Sequence, residues 1–321
     1  MNSNPPSVSI LLSTFQGEKY INVCMESVLN QSQPDFELLI IDDASTDHTV
    51  NLIKNYRDPR ILFTRNVSRQ GLYSNLNRLI KQANAPLLKF LGQDDILFQN
   101  CLETGSRFFQ AHPSLGYFYC SNDTINSRGI VVRPPAPDEN TPTILDPPTA
   151  DKYSLLYGCL SANISNLFIP RHIVKEFQGF DATTISADFD LLVRIQASHA
   201  VGFMQDALLH VRDHNAQWSR NLDGVSDYII RGIDLHLQLK DRVVYKHLLM
   251  DENEARRILI QKAAVSYFDN AMMLFYKGKF IEARKALRAL EKVTTITNLG
   301  RLWLRIKAHR LLLKAGIPGI G

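Results

Sequence analysis

The sequence predicts an α/β protein, a mostly parallel sheet flanked by helices, followed by a helical C-terminal region. Three observations carry that expectation. Apolar, β-rich runs alternate with helical stretches over residues 1–100, and the four runs all end in polar residues. The charge also changes sign along the chain. Residues 240–321 hold 17 Lys and Arg against 7 Asp and Glu, whereas residues 1–239 hold 19 against 25. This split sets a 1–235 domain against a basic 236–321 region.

The expected strands are VSILLST (7–13), FELLIID (36–42), RILFTR (60–65) and PLLKFLG (86–92). Helical stretches lie between them near 18–31, 46–57 and 71–84. Such alternation builds right-handed βαβ units, and ligands then bind at the carboxyl ends of the strands. Those ends read Ser13-Thr14, Asp42-Asp43, Arg65-Asn66 with Arg69 close behind, and Asp94-Asp95. Together they form a polar rim. Two adjacent carboxylates after an apolar strand either cap a helix starting near 97 or await a compensating charge. DDASTDHT likewise has a local use, with Ser45 and Asp47 capping the next helix.

Residues 133–149 contain six prolines and read as a surface loop. From about 222 the pattern is helical, and 264–293 forms two amphipathic stretches broken at Gly278, like a single tetratricopeptide-type hairpin. The tail, 299–321, carries Arg301, Arg305, Lys307, Arg310 and Lys314 with Trp303 and no acidic residue. That composition suits peripheral contact with an anionic membrane surface. No apolar run approaches the roughly 18–20 residues that span a bilayer, and the N-terminus lacks the pattern of a secretory signal. The expected location is the cytoplasm, at the inner face of the membrane. Cys24, Cys101, Cys120 and Cys159 include no CxxC pair, so buried thiols are expected rather than a zinc site or disulfide frame.

Five segments in order, VSILLSTFQGEKYI, ELLIIDDASTDHT, RNVSRQGLYSNLNRLIKQA, LLKFLGQDDIL and GFDATTISADFDLLVRI, resemble glycosyltransferase family 2, whose members have the GT-A fold. The resemblance covers about residues 7–220. It implies an inverting, metal-dependent transferase that moves a sugar from a nucleotide-diphosphate donor, with a UDP-sugar favoured, to a glycan, lipid-linked or protein hydroxyl. The donor's pyrophosphate must be neutralised to bind and to leave, and a hard cation on one or two carboxylates does this. By resemblance Asp95 contacts Mn²⁺ or Mg²⁺, and Asp94 the metal or the ribose. Asp42 and Asp43 sit where relatives bind the nucleobase, with Thr14 and Arg69 completing that pocket.

Inverting transfer also needs a carboxylate to take the acceptor's proton. Relatives place a Glu-Asp pair before LxxR; here Ala187-Asp188 stands instead, which leaves Asp188 as the base. Asp190 points about 200° away on a helix and is expected to be a solvent-facing or first-turn charge. His214, in an Arg-x-His pattern with Arg212, is a further metal or phosphate ligand by resemblance, with Trp218 nearby. Two departures stand out: Gly92 replaces a frequent aspartate, and Ala187 replaces the glutamate.

Other functions fit less well. No GxGxxG follows the first strand, STFQGEKYI is too poor in glycine for nucleotidyl transfer, and no QxxRW motif marks processive synthesis. Nothing marks a nucleic-acid surface. The competing reading is a binding or scaffold protein that has lost its chemistry, against which stand Asp95 and Asp188.

Overall fold

In the computed structural model, parallel strands β1 (Val8–Thr14), β2 (Phe36–Asp42), β3 (Ile61–Arg65) and β4 (Leu87–Leu91) alternate with helices α1 (Ile21–Leu29), α2 (Thr49–Asn55) and α3 (Leu72–Gln82). The structure describes residues 5–135, 143–183, 187–214, 225–242, 264–265 and 267–292. The chain divides into two compact units. One comprises 1–150, 159–183 and 187–217, the other 151–158, 184–186 and 218–321.

The sheet of the first unit continues with β5 (Ile96–Leu97), β6 (Tyr117–Ile125), β7 (Val131–Arg133), β8 (Ile144–Leu145), β9 (Leu167–Pro170) and β10 (Val201–Arg212). Its order is β3-β2-β1-β4-β9-β6-β10-β5, with β7 on β6 and β8 on β10. Strand β9 runs antiparallel between β4 and β6, and β10 lies parallel to β6. Mixed α/β architecture of this kind is what the alternating pattern predicts.

Alternation along each strand sends side chains to two apolar layers. Leu11, Leu39, Ile41, Leu88 and Phe90 pack with Tyr73, Leu76 and Leu79 of α3 and with Leu191, Leu192 and Ile195 of helix α7 (Ala187–Gln196). Val8, Ile10, Leu12, Leu38, Ile40, Leu87 and Leu91 pack with Ile21, Cys24, Met25 and Val28 of α1 and with the start of helix α4 (Cys101–Ala111). Both faces of β2 are covered, which is why FELLIID is a continuous buried run.

Two local expectations are corrected. No helix begins near 97: Ile96–Leu97 pairs with Leu209 and His210 as a short strand, and α4 starts at Cys101. Asp94 and Asp95 therefore cap no helix. The proline-rich stretch is not loop throughout, because β8 pairs with β10 and helix α5 (Pro147–Tyr157) opens on Pro147-Pro148. Proline suits a first helical turn, where its missing N–H has no intrahelical partner to lose. Residues 136–142 lie outside the described residues.

In the second unit, helix α8 (Val225–Arg242) packs against the helix Phe280–Leu290, with Ile229 and Ile233 meeting the apolar face of 264–290. Residues 267–276 are helical and end at Gly278, whose φ of 75° closes the turn through Gly278 N–H to Phe275 O at 3.0 Å and Lys279 N–H to Leu274 O at 3.0 Å. The tail 299–321 lies outside the described residues. Among the described residues no helix is long and apolar enough to cross a membrane.

Candidate functional site

The parallel register sets Thr14 beside Asp42 and Asp42 beside Arg65, so three strand ends finish level. Asp42 is wholly buried and accepts from Ser45 N at 2.9 Å, Ser45 Oγ at 2.5 Å and Thr14 Oγ1 at 3.1 Å, with Arg65 Nε at 3.6 Å. Thr14 is equally buried. These two residues hold the turn after β2. Ser45 does not cap α2, because its hydroxyl serves Asp42 and accepts from Gln16 N at 2.9 Å. Asp47 does act locally, accepting from Thr49 N and Oγ1 at 3.1 and 2.5 Å.

Asp43 organises the next loop. It accepts from Gln70 N at 2.7 Å, Gly71 N at 2.9 Å and Asn66 Nδ2 at 2.8 Å. Burial pushes its carboxyl up, but donors from Gln70, Asn75, Asn66 and Gly71 outweigh that and hold it below the usual carboxylate range. Gly71, with φ of 87°, turns the chain into α3 at this point. Exposed Arg69 lies over the Phe15 ring, 4.2 Å from its centroid. Phe15 is in turn held by Gln93, which accepts from Phe15 N and donates to Phe15 O, both at 2.9 Å. Gln93 thus ties the loop after β1 to the loop that carries Asp94 and Asp95.

At that loop the absent side chain of Gly92 matters. A β-carbon there would sit 2.9 Å from Asp95 Oδ2, 3.1 Å from Asp94 Oδ1 and 3.2 Å from Ser165 Oγ. Three oxygens converge on the space that a side chain would fill, so a β-carbon at 92 would displace at least one of them. Asp95 is 2% exposed, with Oδ2 accepting from Ser165 Oγ at 2.5 Å and Oδ1 from Arg212 N at 2.9 Å. Burial and then the Asp94 charge push its carboxyl up to about 7, against the Ser165 and Arg212 donors and the Lys89 charge.

Asp94 Oδ2 meets His214 Nε2 at 2.8 Å. Arg212 Nε donates to Asp94 O at 2.9 Å and Arg212 Nη1 to Asn126 O at 3.1 Å. The Tyr20 ring lies 4.3 Å from the Arg212 guanidinium and 5.0 Å from the His214 ring. His214, Asp94 and Asp95 therefore share one site. Trp218 lies outside the described residues.

Among the described residues no three His, Cys, Asp or Glu side chains gather into a ready-made cage for a metal. Mg²⁺ and ions like it need only one or two carboxylates when phosphates and waters complete the shell. Two carboxylate oxygens facing the bare Cα of Gly92 fit that requirement.

Asp188 stands in the first turn of α7 and is half-buried. It accepts from Phe189 N at 2.8 Å and from the hydroxyl of Tyr73 on α3. Burial raises its carboxyl above the usual range, while those donors pull the other way. Ala187 is wholly buried in the apolar layer that contains Tyr73 and Leu191. Asp190 is a first-turn charge of α7, one of the two expected alternatives, and does not face solvent. It is 5% exposed and accepts from Arg194 Nε at 2.9 Å, one turn on.

Helix α3 links these groups: Tyr73 reaches Asp188, and Asn75 accepts from Asn66 at 2.8 Å beside Asp43. Sequence reasoning missed Tyr73, Gln93, Ser165 and Lys89. Only Lys89 left a signal, as the one charge inside PLLKFLG.

Residues 9–147 match the family described as glycosyl transferase family 2. The Bacillus subtilis (strain 168) protein EpsE is 27% identical over 227 residues, 68% of this chain and 77% of that protein. Escherichia coli WfgD, named a UDP-Glc:alpha-D-GlcNAc-diphosphoundecaprenol beta-1,3-glucosyltransferase, is 31% identical over 134 residues, 42% of this chain and 53% of its own length. Among solved structures, S. aureus TarS 1-349 in complex with UDP-GlcNAc superposes with a TM-score of 0.65 at 18% identity, covering 88% of this chain and 79% of TarS. That likeness establishes the GT-A fold.

Proposed function

The chain carries a glycosyltransferase family 2 domain of the GT-A fold, and on that premise we propose that it is an inverting, metal-dependent transferase. Its donor is a nucleotide-diphosphate sugar, with UDP favoured because UDP or a UDP-sugar appears with both WfgD and TarS. Its acceptor is a hydroxyl on a glycan or lipid-linked saccharide, the latter by analogy with the WfgD acceptor. The observation that carries this reading is the convergence of Asp94 Oδ1, Asp95 Oδ2 and Ser165 Oγ on the bare Cα of Gly92 at the end of β4.

In this reading Asp95 and Asp94 hold Mn²⁺ or Mg²⁺, with His214 beside Asp94 as a further ligand or as the group that orients it. The bound ion supplies neutralising charge to the departing nucleoside diphosphate. Arg69, over Phe15, and the loop organised by Asp43 border the nucleobase; Thr14 and Asp42, fully buried, shape that wall from behind. Asp188 removes the acceptor's hydroxyl proton as its oxygen attacks the anomeric carbon opposite the leaving group, which inverts the configuration. A carboxyl whose pKa is raised by burial is a stronger base than a solvated one, and the Tyr73 hydroxyl keeps its oxygens oriented.

Thermal shift with UDP, with and without Mn²⁺ or Mg²⁺, tests the metal role. A ligand at a hundredfold excess over its Kd stabilises by about 2.7 kcal/mol, enough to move a melting curve. The shift should be larger with the ion, and Asp95→Ala should lose that extra part. Equal shifts with and without the ion, across several nucleoside diphosphates, would sink it.

A further inference from the structure

We propose that Lys89 and Ser165 are positioning residues that set Asp95 for its cation before the cation arrives; this rests on the metal role assigned above. Lys89 lies in the middle of β4 and is wholly buried. Its neighbours on that face of the strand, Leu87 and Leu91, belong to the apolar layer. A buried ammonium loses its hydration, which is costly unless other groups replace the water. Its two contacts are neutral: it donates to the Ser165 carbonyl and sits 4.1 Å from the centroid of the Phe168 ring.

The contact with Ser165 extends to the site. Ser165 is wholly buried in a single 3₁₀ turn (Ile164–Asn166). Lys89 holds its carbonyl, and Asn163 Oδ1 accepts its N–H at 2.7 Å. With both main-chain groups engaged, its hydroxyl has a fixed place. That hydroxyl accepts from Gly92 N at 2.8 Å and donates to Asp95 Oδ2 at 2.5 Å. Arg212 N binds the other carboxylate oxygen.

Each carboxylate oxygen has two acceptor positions. One on each is engaged, and one on each is left over. The carboxylate is therefore oriented by buried donors, the Ser165 hydroxyl on one oxygen and Arg212 N on the other. The antiparallel insertion of β9, with Lys89 opposite Phe168, is what delivers Ser165 to this point from 70 residues away in the chain. Groups that hold a ligand in this way commonly change metal affinity by about 10–100-fold when removed.

Mn²⁺ titration followed by electron paramagnetic resonance, on the full chain with saturating UDP, tests the inference. Ser165→Ala is expected to weaken Mn²⁺ binding by about tenfold, with UDP affinity in metal-free buffer unchanged and the protein still folded at the titration temperature. Lys89→Met should act in the same direction. Ser165→Ala stands alone if Lys89→Met does not fold. If the unaltered protein binds Mn²⁺ and Ser165→Ala binds it equally well, the positioning role is wrong while the metal role survives. If the unaltered protein takes up no Mn²⁺ with UDP, the metal role fails and the positioning role falls with it.

Discussion

At the scale of single residues, the pairing of Tyr73 with Asp188 makes the sharpest demand. Asp188→Asn keeps the shape and removes the basicity, so transfer should fall by about 10²–10⁴ while isothermal titration still shows donor binding. Retained transfer at the original rate would move the base elsewhere. Tyr73→Phe removes a donor that favours the carboxylate. In the proposed mechanism the carboxylate is the active form, so the rate should fall as pH drops through its pKa. Burial already places that pKa above the ordinary value, and losing the Tyr73 hydroxyl raises it further. The acid limb of the kcat/KM profile should therefore move to higher pH in Tyr73→Phe. An unmoved limb would show that Tyr73 does not act on the base. Gly92 and Ala187 belong to this scale too. Both are departures from the pattern of the resemblance; in the structure Gly92 lies against the side-chain oxygens of Asp94, Asp95 and Ser165, and Ala187 is wholly buried.

At the scale of elements, α7 is held by a clamp that the LxxR pattern conceals. Arg194 pairs with Asp190 and also donates to Phe177 O at 2.5 Å and Gly179 O at 2.8 Å, beyond the end of helix α6 (Arg171–Glu176). From the other side Asn77 on α3 holds the same segment, accepting from Phe180 N at 2.9 Å and donating to Phe180 O at 2.8 Å. Gly179, with φ of 72°, meets Asn77 so closely that a β-carbon would lie 2.5 Å from its Oδ1. The helix that presents Asp188 is thus anchored by Asp190. Asp190→Ala removes the carboxylate that ties the half-exposed Arg194 to the first turn of α7 and should destabilise by about 1 kcal/mol, read as a lower urea midpoint with measurable transfer below it. Asp188→Asn should do the reverse. If Asp190→Ala leaves the midpoint unmoved and abolishes transfer, the two aspartates have been assigned the wrong way round.

At the scale of the molecule, the distribution of charge motivates the expectation of contact with an anionic membrane surface. The basic excess of 240–321 continues through the helix Phe280–Leu290, where Arg284, Lys285 and Arg288 are exposed. Basic residues near an anionic leaflet contribute about 1 kcal/mol each, and a lipid-linked acceptor would be presented there. The expectation attaches to 299–321, which lies outside the described residues. Full-length protein should sediment with anionic vesicles at low salt and not with neutral ones, and a chain ending at Asn298 should stay in solution. Should the full chain remain in the supernatant with anionic vesicles, the membrane contact is discarded.

What the sequence determined by itself was whatever short-range pattern encodes. Short apolar, β-rich runs and strand–helix alternation specified β1 to β4 with α1 to α3, and the polar strand ends located the rim, because neighbouring parallel strands finish level. The pair Asp94-Asp95 and the turn DDASTD were visible for the same reason: the residues that matter are adjacent in the chain. Only the tertiary structure decided which aspartates face inward as hubs and which stand open. It brought Ser165 to Asp95 through the antiparallel insertion of β9, Tyr73 to Asp188 through the packing of α3 on α7, and Gln93 onto the main chain of Phe15. These contacts join residues dozens of positions apart, so no local periodicity records them. Asp190 is the plainest instance: helical geometry gave its direction correctly, but whether that direction met water or Arg194 depended on what the fold had packed there.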